Sequence, residues 1–363
     1  MFNYTGIDSG ISRNNHHSIF KGAIPTMPIT INDISEKLGV SISTVSRALN
    51  DRADVSQATR DRVLQVAQEL GYQPSGIARS LRRQRTDKIG FVFNDTVTYF
   101  SDYFAEIIAG STIAAEENGH NIVLYTNEGH SPDGLLQLCK SREVDGLILV
   151  WDHVPSIIIE PLLAEGLPFV ILGRRVNHPL ASYIAPDNYN GALALMQHFL
   201  DLGHTRIGFT TRRLSMKLTR VDRFAAYQDA LENAGIPFDP TLVVETEGGL
   251  PDNHLAANQL LDLPNPPTAI FAFHDLVAVD FLNTIIERGL RVPQDVALAG
   301  FDGLNASLFT KPSITTVKQP LREIGSQSVQ ALLQCIDNPN QSPIQITLPV
   351  QLEIRESTVG KHL

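Results

Sequence analysis

The stretch TINDISEKLGVSISTVSRALN, residues 30–50, predicts two short helices joined by a tight turn. Thr30 is a good N-cap, and Asp33 lies three residues later, near the positive end of the helix dipole. One face of this first helix carries the apolar residues Ile31, Ile34 and Leu38. Gly39 ends the helix after two turns, which is typical of the first half of a helix-turn-helix unit.

The second helix of the pair has one apolar face and one polar face. Ser41 is placed to cap its start. The residues that point inward at helical spacing are Val45, Ala48 and Leu49. The residues that this spacing leaves on the outer face are Ser43, Ser46 and Arg47. A polar outer face of this kind remains available for contact with another molecule.

A third helix follows from the Ser56 cap and stops at Gly71. Its buried stripe consists of Val63, Val66, Ala67 and Leu70. The three short helices together predict one small core.

Beyond Lys88 the pattern changes to short apolar runs that alternate with amphipathic segments ending at glycine. The runs are KIGFVF, NIVLYT, DGLILVW, PFVILG, RIGFTT, TLVVET, TAIFAF and VALAGF. Buried strands that alternate with helices predict parallel sheets covered on both faces. Eight such units exceed what one open six-stranded sheet needs, so we expect an α/β body of two Rossmann-like lobes facing a cleft. A single eight-stranded barrel is the alternative architecture.

Composition and motifs exclude several classes of protein. The 363 residues are 43% hydrophobic and 19% charged, which is compatible with folded cores. The sequence has neither eighteen consecutive apolar residues nor a secretory signal, so we expect a cytoplasmic protein without a membrane partner. Cys139 and Cys335 can form neither a disulfide framework nor a spaced zinc site, and we interpret both as inert core thiols. No nucleotide-binding, hydrolase or metalloprotease motif occurs, so we expect no enzyme activity, catalytic residue, cofactor or metal.

The net charge of −10 conceals a marked asymmetry. Residues 27–88 contain 10 Lys and Arg against 7 Asp and Glu, whereas residues 89–363 contain 17 against 31. Because an acidic body repels nucleic acid, any contact with DNA must be concentrated in the first quarter of the chain.

The chain therefore divides into four parts. Residues 1–26 predict a disordered arm, or an extension that precedes a true start at Met27. Residues 27–73 form the helix-turn-helix domain, and 74–88 a short helix and linker, the helix being too short to be stable alone. Residues 89–363 form the two-lobed body.

The headpiece and the segment VSQATRDRVLQVAQELGYQPSGIARSLRRQRTDKIGFVF that follows it resemble the lactose/galactose-repressor family of bacterial transcription regulators. The resemblance continues more loosely through APDNYNGALALMQHFLDLGHTRIGF, HDLVAVDFLNTIIERGLRVPQDVALAGFDG and SITTVKQP. It implies a two-lobed body like that of periplasmic binding proteins. A secreted sugar-binding protein shares such a body but needs a signal peptide and has no use for residues 27–88.

The outer face of the second helix suits readout of DNA bases. Arginine is the residue that most often contacts guanine O6 and N7, and Arg47 is placed for this role, although a solvated or phosphate-binding arginine is the alternative. The resemblance adds Ile42 and Ser43 as base contacts; Ile42 departs from the polar residue that is common there and can only touch a thymine methyl. Phosphate contacts are expected from Thr44, Ser46 and Asn50.

The segment 75–85 resembles the family's hinge helix, which becomes ordered on the operator. By position, Leu81 is the side chain that opens the central base step in the minor groove. Packing of Leu81 on the following domain is the alternative. The basic residues expected to contact DNA beside it are Arg79 and Arg82.

Ligands of open α/β sheets bind at the carboxyl ends of the strands. The side chains expected there are Tyr103, Phe104, Trp151, Arg174, Arg175, His274 and Asp302. By resemblance, Arg223 and Asp302 are the central polar contacts and Tyr103-Phe104 the aromatic ones. The alternative to effector contact for Arg223 and Asp302 is an interdomain salt bridge or a helix cap. The alternative for Trp151 and His274 is a purely structural role. Two positions depart from the family pattern: Gly303 stands where most relatives have a second acid, and His274 where many have Asn.

These features predict a sequence-specific repressor whose affinity for a palindromic operator is controlled by a small-molecule effector, a sugar. We expect a homodimer or a tetramer. An activator or dual regulator with a purine-like co-repressor is the alternative, because the protein sequence is silent on promoter geometry. Asp187 and Asn188 either cap the next helix or lie at the lobe crossover, with capping preferred.

Overall fold

The computed structural model describes residues 29–49, 52, 54–72, 85–93, 102–126, 132–150, 156–211, 222–246 and 250–359. The chain divides into two compact units, Met1–Arg82 and Arg83–Leu363. The expected arm at residues 1–26 and residues 74–84 of the expected hinge lie outside the described residues. None of the helices in the described ranges has the length and apolarity to span a bilayer.

The first unit contains the three predicted helices: α1 Ile31–Leu38, α2 Ile42–Leu49 and α3 Gln57–Leu70. The Asp33 carboxylate accepts hydrogen bonds from the Thr30 backbone N–H at 2.6 Å and from its hydroxyl at 2.8 Å. Ser41 Oγ accepts from the backbone N–H of Thr44 at 3.1 Å, and Ser56 Oγ caps α3 in the same way. The predicted starts of all three helices are therefore confirmed.

One small apolar core holds these helices together. Gly39 and Gly71 end α1 and α3 in the left-handed conformation, with φ of 64° and 68°. The buried residues of the core are Ile34, Val45, Ala48, Val63, Val66 and Ala67. These are the inward-facing positions that the helical periodicity predicts.

The second unit contains two six-stranded sheets. Its strands are β1 Lys88–Phe93, β2 Asn121–Thr126, β3 Gly146–Val150, β4 Phe169–Leu172, β5 Ser182–Pro186, β6 Ile207–Thr211, β7 Val243–Glu245, β8 Ala269–Phe271, β9 Ala297–Asp302, β10 Thr315–Lys318, β11 Gln345–Leu348 and β12 Gln351–Glu353. Its helices are α4 Asp102–Glu117, α5 Pro132–Ser141, α6 Ser156–Glu165, α7 Asn188–Asp201, α8 Asp222–Asn233, α9 Leu250–Leu261, α10 Asp275–Glu287, α11 Asn305–Phe309, α12 Leu321–Asp337 and α13 Glu356–Val359.

Each sheet is the centre of one lobe. The first lobe has the strand order β11-β5-β4-β3-β1-β2, and the second has β12-β10-β9-β8-β6-β7. Neighbouring strands are parallel, except that β12 pairs antiparallel with β10. Two apolar clusters in each lobe cover both faces of its sheet. Two separate sheets confirm the two-lobed α/β fold and rule out the barrel.

Each of the eight predicted apolar runs contains a strand, but the sequence analysis missed four further strands: β5, β10, β11 and β12. The last three are short and rich in Thr and Gln, so they lack the apolar run that marks a buried strand.

The chain passes between the lobes three times. Helix α7 follows β5 of the first sheet but packs on β10, β12 and α8 of the second lobe. Helix α12 follows β10 of the second sheet but packs on α4, β3, β4 and β5 of the first lobe. The third passage joins β11 to β12.

Helices α4 and α12 touch through two glycines. A Cβ built on Gly110 would lie 2.1 Å from the backbone oxygen of Arg322, and one built on Gly325 would lie 2.2 Å from that of Ile107. An ion pair between Arg322 and Glu106, with Nε and Oε2 2.5 Å apart, lies beside this crossing. The backbones therefore approach too closely for any side chain at these positions.

Replacement of Gly325 by alanine is expected to destabilise the second unit by about 1–3 kcal/mol, because the helices must separate to admit the new methyl group. Helix propensity alone would stabilise the same variant by about 0.5–1 kcal/mol, so the sign of the change is diagnostic. Urea unfolding measures it, with Gln330→Ala on the exposed face of α12 as the control. A Gly325→Ala chain at least as stable as the parent would contradict the close approach.

Candidate functional site

The outer face of α2 presents the side chains that the sequence analysis assigned to DNA bases. Ile42 is 50% exposed, and Ser43 and Arg47 are exposed beside it. Thr44 and Ser46 are half-buried at the edge of this face. An exposed apolar side chain at the start of a helix suits contact with a methyl group rather than with water.

Arg47 is held only weakly by the protein itself. Its Nη1 lies 3.5 Å from Oδ2 of Asp54, and both side chains are more than half exposed. Exposed ion pairs of this kind contribute little to stability, so the guanidinium of Arg47 remains available to another partner. The other expected DNA contacts, Asn50, Arg79, Leu81 and Arg82, lie outside the described residues.

A second cluster of polar side chains lies at the carboxyl edge of the second sheet. Asp302 is the last residue of β9, and Arg223 lies in the first turn of α8, the helix that follows β6. Gln319 directly follows β10, and Asn188 is the first residue of α7. Parallel strands bring these distant residues to one edge, where the strand end predicted Asp302 and the family resemblance implied Arg223.

Arg223 makes hydrogen bonds to three different elements. Its Nη2 donates to Asp302 Oδ1 at 3.1 Å, its Nε to Asn188 Oδ1 at 3.0 Å, and its Nη1 to the backbone oxygen of Phe273. Both Arg223 and Asp302 are 8% exposed. The two charges form an ion pair within one lobe rather than between lobes. This pairing and the other hydrogen bonds of Arg223 offset the cost of burying the charges.

Two aromatic rings fix the plane of this guanidinium. Its carbon lies 3.7 Å from the ring centre of Phe301 and 4.8 Å from that of Phe273. Phe301 is fully buried behind the cluster. Stacking on a buried ring limits the rotation of Arg223 and so preorganises its donors.

Gln319 completes the polar cluster, and the sequence analysis did not include it. Its Nε2 donates to Asp302 Oδ1 at 2.6 Å. Its Oε1 is buried and accepts no hydrogen bond from any residue in the described ranges. A buried acceptor of this kind is costly unless another donor, such as a water or a ligand, satisfies it.

Asp275 is a second buried carboxyl group, which the sequence analysis also missed. It accepts from the backbone N–H of Leu304 and from the hydroxyl of Thr316, both at 2.6 Å. Burial, and then the nearby charge of Asp302, raise the pKa of Asp275 to about 7. A Cβ on Gly300 would lie 2.3 Å from Asp275 Oδ1, so the neighbouring strand must carry glycine there.

The first lobe contributes aromatic and basic residues. The ring centres of Tyr103 and Phe104, at the start of α4, lie 5.2 Å apart, and Phe104 lies 5.6 Å from Phe93 at the end of β1. Arg174 is half-buried after β4. Its neighbour Arg175 forms an ion pair with Asp222 of the second lobe, with Nη2 and Oδ1 3.1 Å apart.

Two residues whose role the sequence left open serve as helix caps. Nδ1 of His274 accepts from the backbone N–H of Val277 at 3.3 Å and so caps α10, while its role as an effector contact stays a prediction. Asp187 accepts from the backbone N–H of Asn190 and so caps α7 as expected, whereas Asn188 contacts Arg223. Trp151 lies outside the described residues.

The backbone at Gly303 leaves no room for a side chain. Its φ is 77°, and a Cβ would lie 2.7–2.8 Å from atoms of Lys318. Asp302 before it also has a positive φ, 107°, which is rare for a residue other than glycine. Strained backbone at this position holds the carboxylate at the strand end.

A helix-turn-helix unit followed by a two-lobed α/β body defines the class of two-lobed bacterial DNA-binding regulators. Residues 30–75 match the model for bacterial regulatory proteins of the lacI family, and residues 196–358 match that for a periplasmic binding protein-like domain. The ribose operon repressor of Haemophilus influenzae is 33% identical over 331 residues, which cover 90% of this chain and 98% of that repressor. The chain belongs to the lacI family and is a DNA-binding transcription regulator.

Solved structures give the same result. The lac repressor dimer bound to operator and the anti-inducer ONPF has a TM-score of 0.80 at 26% identity, and the match covers 92% of this chain and 100% of that one. The complex of the transcriptional regulator CelR with cellobiose has a TM-score of 0.69 at 30% identity, with 91% and 99% covered. The family and fold predictions are thereby confirmed.

The raised pKa of Asp275 predicts a specific dependence of stability on pH. Between the ordinary value of 3.8 and about 7, the folded chain keeps a proton on Asp275 that the unfolded chain has lost. The free energy of unfolding therefore falls as pH rises through this range, by up to about 1.4 kcal/mol per pH unit from this group. Urea unfolding of the parent and of Asp275→Asn measures the difference.

In Asp275→Asn the new amide can donate to the Thr316 hydroxyl and accept from the backbone N–H of Leu304, so this variant should fold. The stability of the parent relative to this variant should fall up to about pH 7 and then level off. Parallel pH curves for the two chains would show that Asp275 is not protonated in the fold.

Proposed function

We propose that this regulator is a repressor whose affinity for operator DNA is controlled by a sugar bound beside Asp302 and Arg223. The observation that carries the proposal is the buried cluster of Arg223, Asp302 and Gln319 at a strand edge, with an acceptor of Gln319 left unsatisfied by the described residues. The names of two similar proteins support a sugar: one is the ribose operon repressor, and the other binds cellobiose.

The chemistry of the cluster suits vicinal hydroxyl groups. A carboxylate such as Asp302 accepts from two neighbouring hydroxyls, and the guanidinium of Arg223 donates to their oxygens. The half-buried ring of Phe273 offers an apolar face for the C–H side of a sugar. Tyr103, Phe104, Trp151, Arg174 and His274 are the further contacts that we propose for the effector.

On the DNA side, Ile42, Ser43 and Arg47 contact base edges in the major groove. Phosphate contacts come from Thr44, Ser46 and Asn50. Residues 74–88 form the hinge that passes the effector's signal to the DNA-binding domain, and its DNA contacts are Arg79, Leu81 and Arg82. The partner is a palindromic operator, because one helix-turn-helix unit buries too little surface for operator affinity.

A homodimer is supported by an apolar surface on three neighbouring helices of the second lobe. Leu250 and Leu255 on α9 are 69% and 66% exposed, and Phe309 on α11 is 82% exposed. Leu276 and Ile286 on α10, which contacts both other helices, are also exposed. Large apolar side chains grouped in this way indicate a protein–protein interface, and the similar lac repressor is a dimer on its operator. A dimeric DNA-binding repressor acts in the cytoplasm.

Replacement of Arg47 by alanine is expected to remove discrimination at one base pair of each half-site, by about 1–3 kcal/mol per contact, because a bidentate contact to guanine is lost. Fluorescence anisotropy measures the affinity for an operator selected in vitro with the full chain and for single-base variants of that operator. Arg62→Ala, exposed on α3, is the matched control and should leave discrimination unchanged. Equal weakening on every sequence would make Arg47 a phosphate contact instead.

Replacement of Asp302 by asparagine is expected to abolish the effector's thermal shift while operator affinity persists, because the carboxylate that accepts from the sugar hydroxyls is lost. Ribose, cellobiose, glucose and galactose are tested as effectors, with hypoxanthine as the purine. Asp262→Asn, exposed on the same lobe, serves as the control. A sugar-induced shift that survives in Asp302→Asn would refute the assigned site, and a shift by hypoxanthine alone would refute the sugar.

A further inference from the structure

Three potential metal ligands lie together at the amino edge of the first sheet. Asp87, His120 and Asp145 each directly precede a strand, β1, β2 and β3 respectively. Because β1 lies between β3 and β2 and all three are parallel, the residues before them share one edge. This is the opposite end of the strands from the edge at which ligands of such sheets bind.

The backbone holds these residues close together. The N–H of Asn121 donates to the backbone oxygen of Asp87 at 2.9 Å, and the N–H of Asp145 donates to that of Lys88 at 2.8 Å. One ligand atom from each of the three side chains lies within 4.8 Å of the other two. The arrangement is therefore part of the sheet rather than a chance meeting of mobile side chains.

The hydrogen bond made by Nδ1 of His120 leaves Nε2 as the nitrogen that can bind a metal. Nδ1 lies 2.8 Å from the backbone oxygen of Asn118, and because a carbonyl only accepts, Nδ1 carries the proton. The lone pair of the neutral ring is then on Nε2. This atom is shielded from solvent and has no hydrogen-bond partner among the residues that the structure describes. A carbonyl that fixes the tautomer in this way is typical of metal-binding histidines.

The two carboxylates supply negative charge and oxygen donors. Asp145 Oδ1 accepts from the backbone N–H and the hydroxyl of Thr86, and Oδ2 from the N–H of Asp87, so its carboxylate is oriented. No described residue donates a hydrogen bond to the carboxylate of Asp87. That side chain can rotate about its χ angles to approach a cation.

We propose that Asp87, His120 and Asp145 bind one divalent transition-metal cation. One imidazole nitrogen with carboxylate oxygens suits Zn²⁺ or Co²⁺ better than Mg²⁺ or Ca²⁺, which prefer oxygen ligands alone. Bonds of about 2.0–2.2 Å require the three ligand atoms to move closer together than 4.8 Å, and rotation of Asp87 provides this movement. Water completes the coordination shell.

The test uses the untagged full-length chain with His16→Gln and His17→Gln, because adjacent histidines bind metal by themselves. Co²⁺ is titrated into this parent and followed by its visible absorption, and Zn²⁺ is then added as a competitor. Asp87→Asn and His120→Gln are compared in the same background. His254→Gln, which removes an exposed histidine of the second lobe, is the matched control.

We expect the parent to bind one Co²⁺ per chain and Zn²⁺ to displace it. The affinity for Co²⁺ should fall about tenfold or more in Asp87→Asn and in His120→Gln, but not in His254→Gln. Asparagine tolerates the φ of 53° at position 87, so Asp87→Asn should fold. Circular dichroism checks the folding of Asp87→Asn and of His120→Gln. Asp145 is left in place because it holds the backbone of Thr86 and Asp87. A parent that binds neither metal, or two variants that bind as the parent does, would overturn the proposal.

Discussion

The carboxylate of Asp302 is the point on which the polar organisation of the second lobe depends. It accepts hydrogen bonds from Arg223 and Gln319, and its charge adds to the effect of burial in raising the pKa of Asp275. Arg223 in turn holds Asn188. Asn188 and Gln319 stand at two of the three places where the chain passes between the lobes, so a ligand that engages this cluster acts directly on the segments that join them.

The opposite edge of the first sheet anchors the start of the second unit. Arg85 forms an ion pair with Asp337, with Nη1 and Oδ1 2.8 Å apart, and Asp145 holds Thr86 and Asp87. The amino edge of the first sheet is thus fixed to the start of the second unit, while Tyr103 and Phe104, which we propose as effector contacts, lie at the start of α4. The close contact of α4 and α12 packs the helix that follows β10 of the second sheet against the first lobe.

Much of this organisation follows from the sequence because it depends on local chemistry. Caps, helix-ending glycines and apolar runs predict the three-helix unit and eight strands, and a strand end predicts Asp302, whereas Arg223 was implied by the family resemblance alone. Gln319 escaped prediction because it follows a short Thr-rich strand without an apolar run, and Asp275 because nothing local marks a carboxyl as buried. Asp87, His120 and Asp145 are far apart in the chain, so only the strand order brings them together and no motif spacing indicates a metal site.

The central claim is that one chain couples a small molecule at Asp302 to DNA at α2, and thermodynamic linkage tests it most directly. Calorimetry measures the affinity of the active sugar for the free chain and for the chain saturated with its selected operator. Coupling predicts affinities that differ by about 5–150-fold, and the sugar must change operator affinity by the same factor. Equal sugar affinities in the two states would contradict the account, because a ligand without differential affinity cannot control DNA binding.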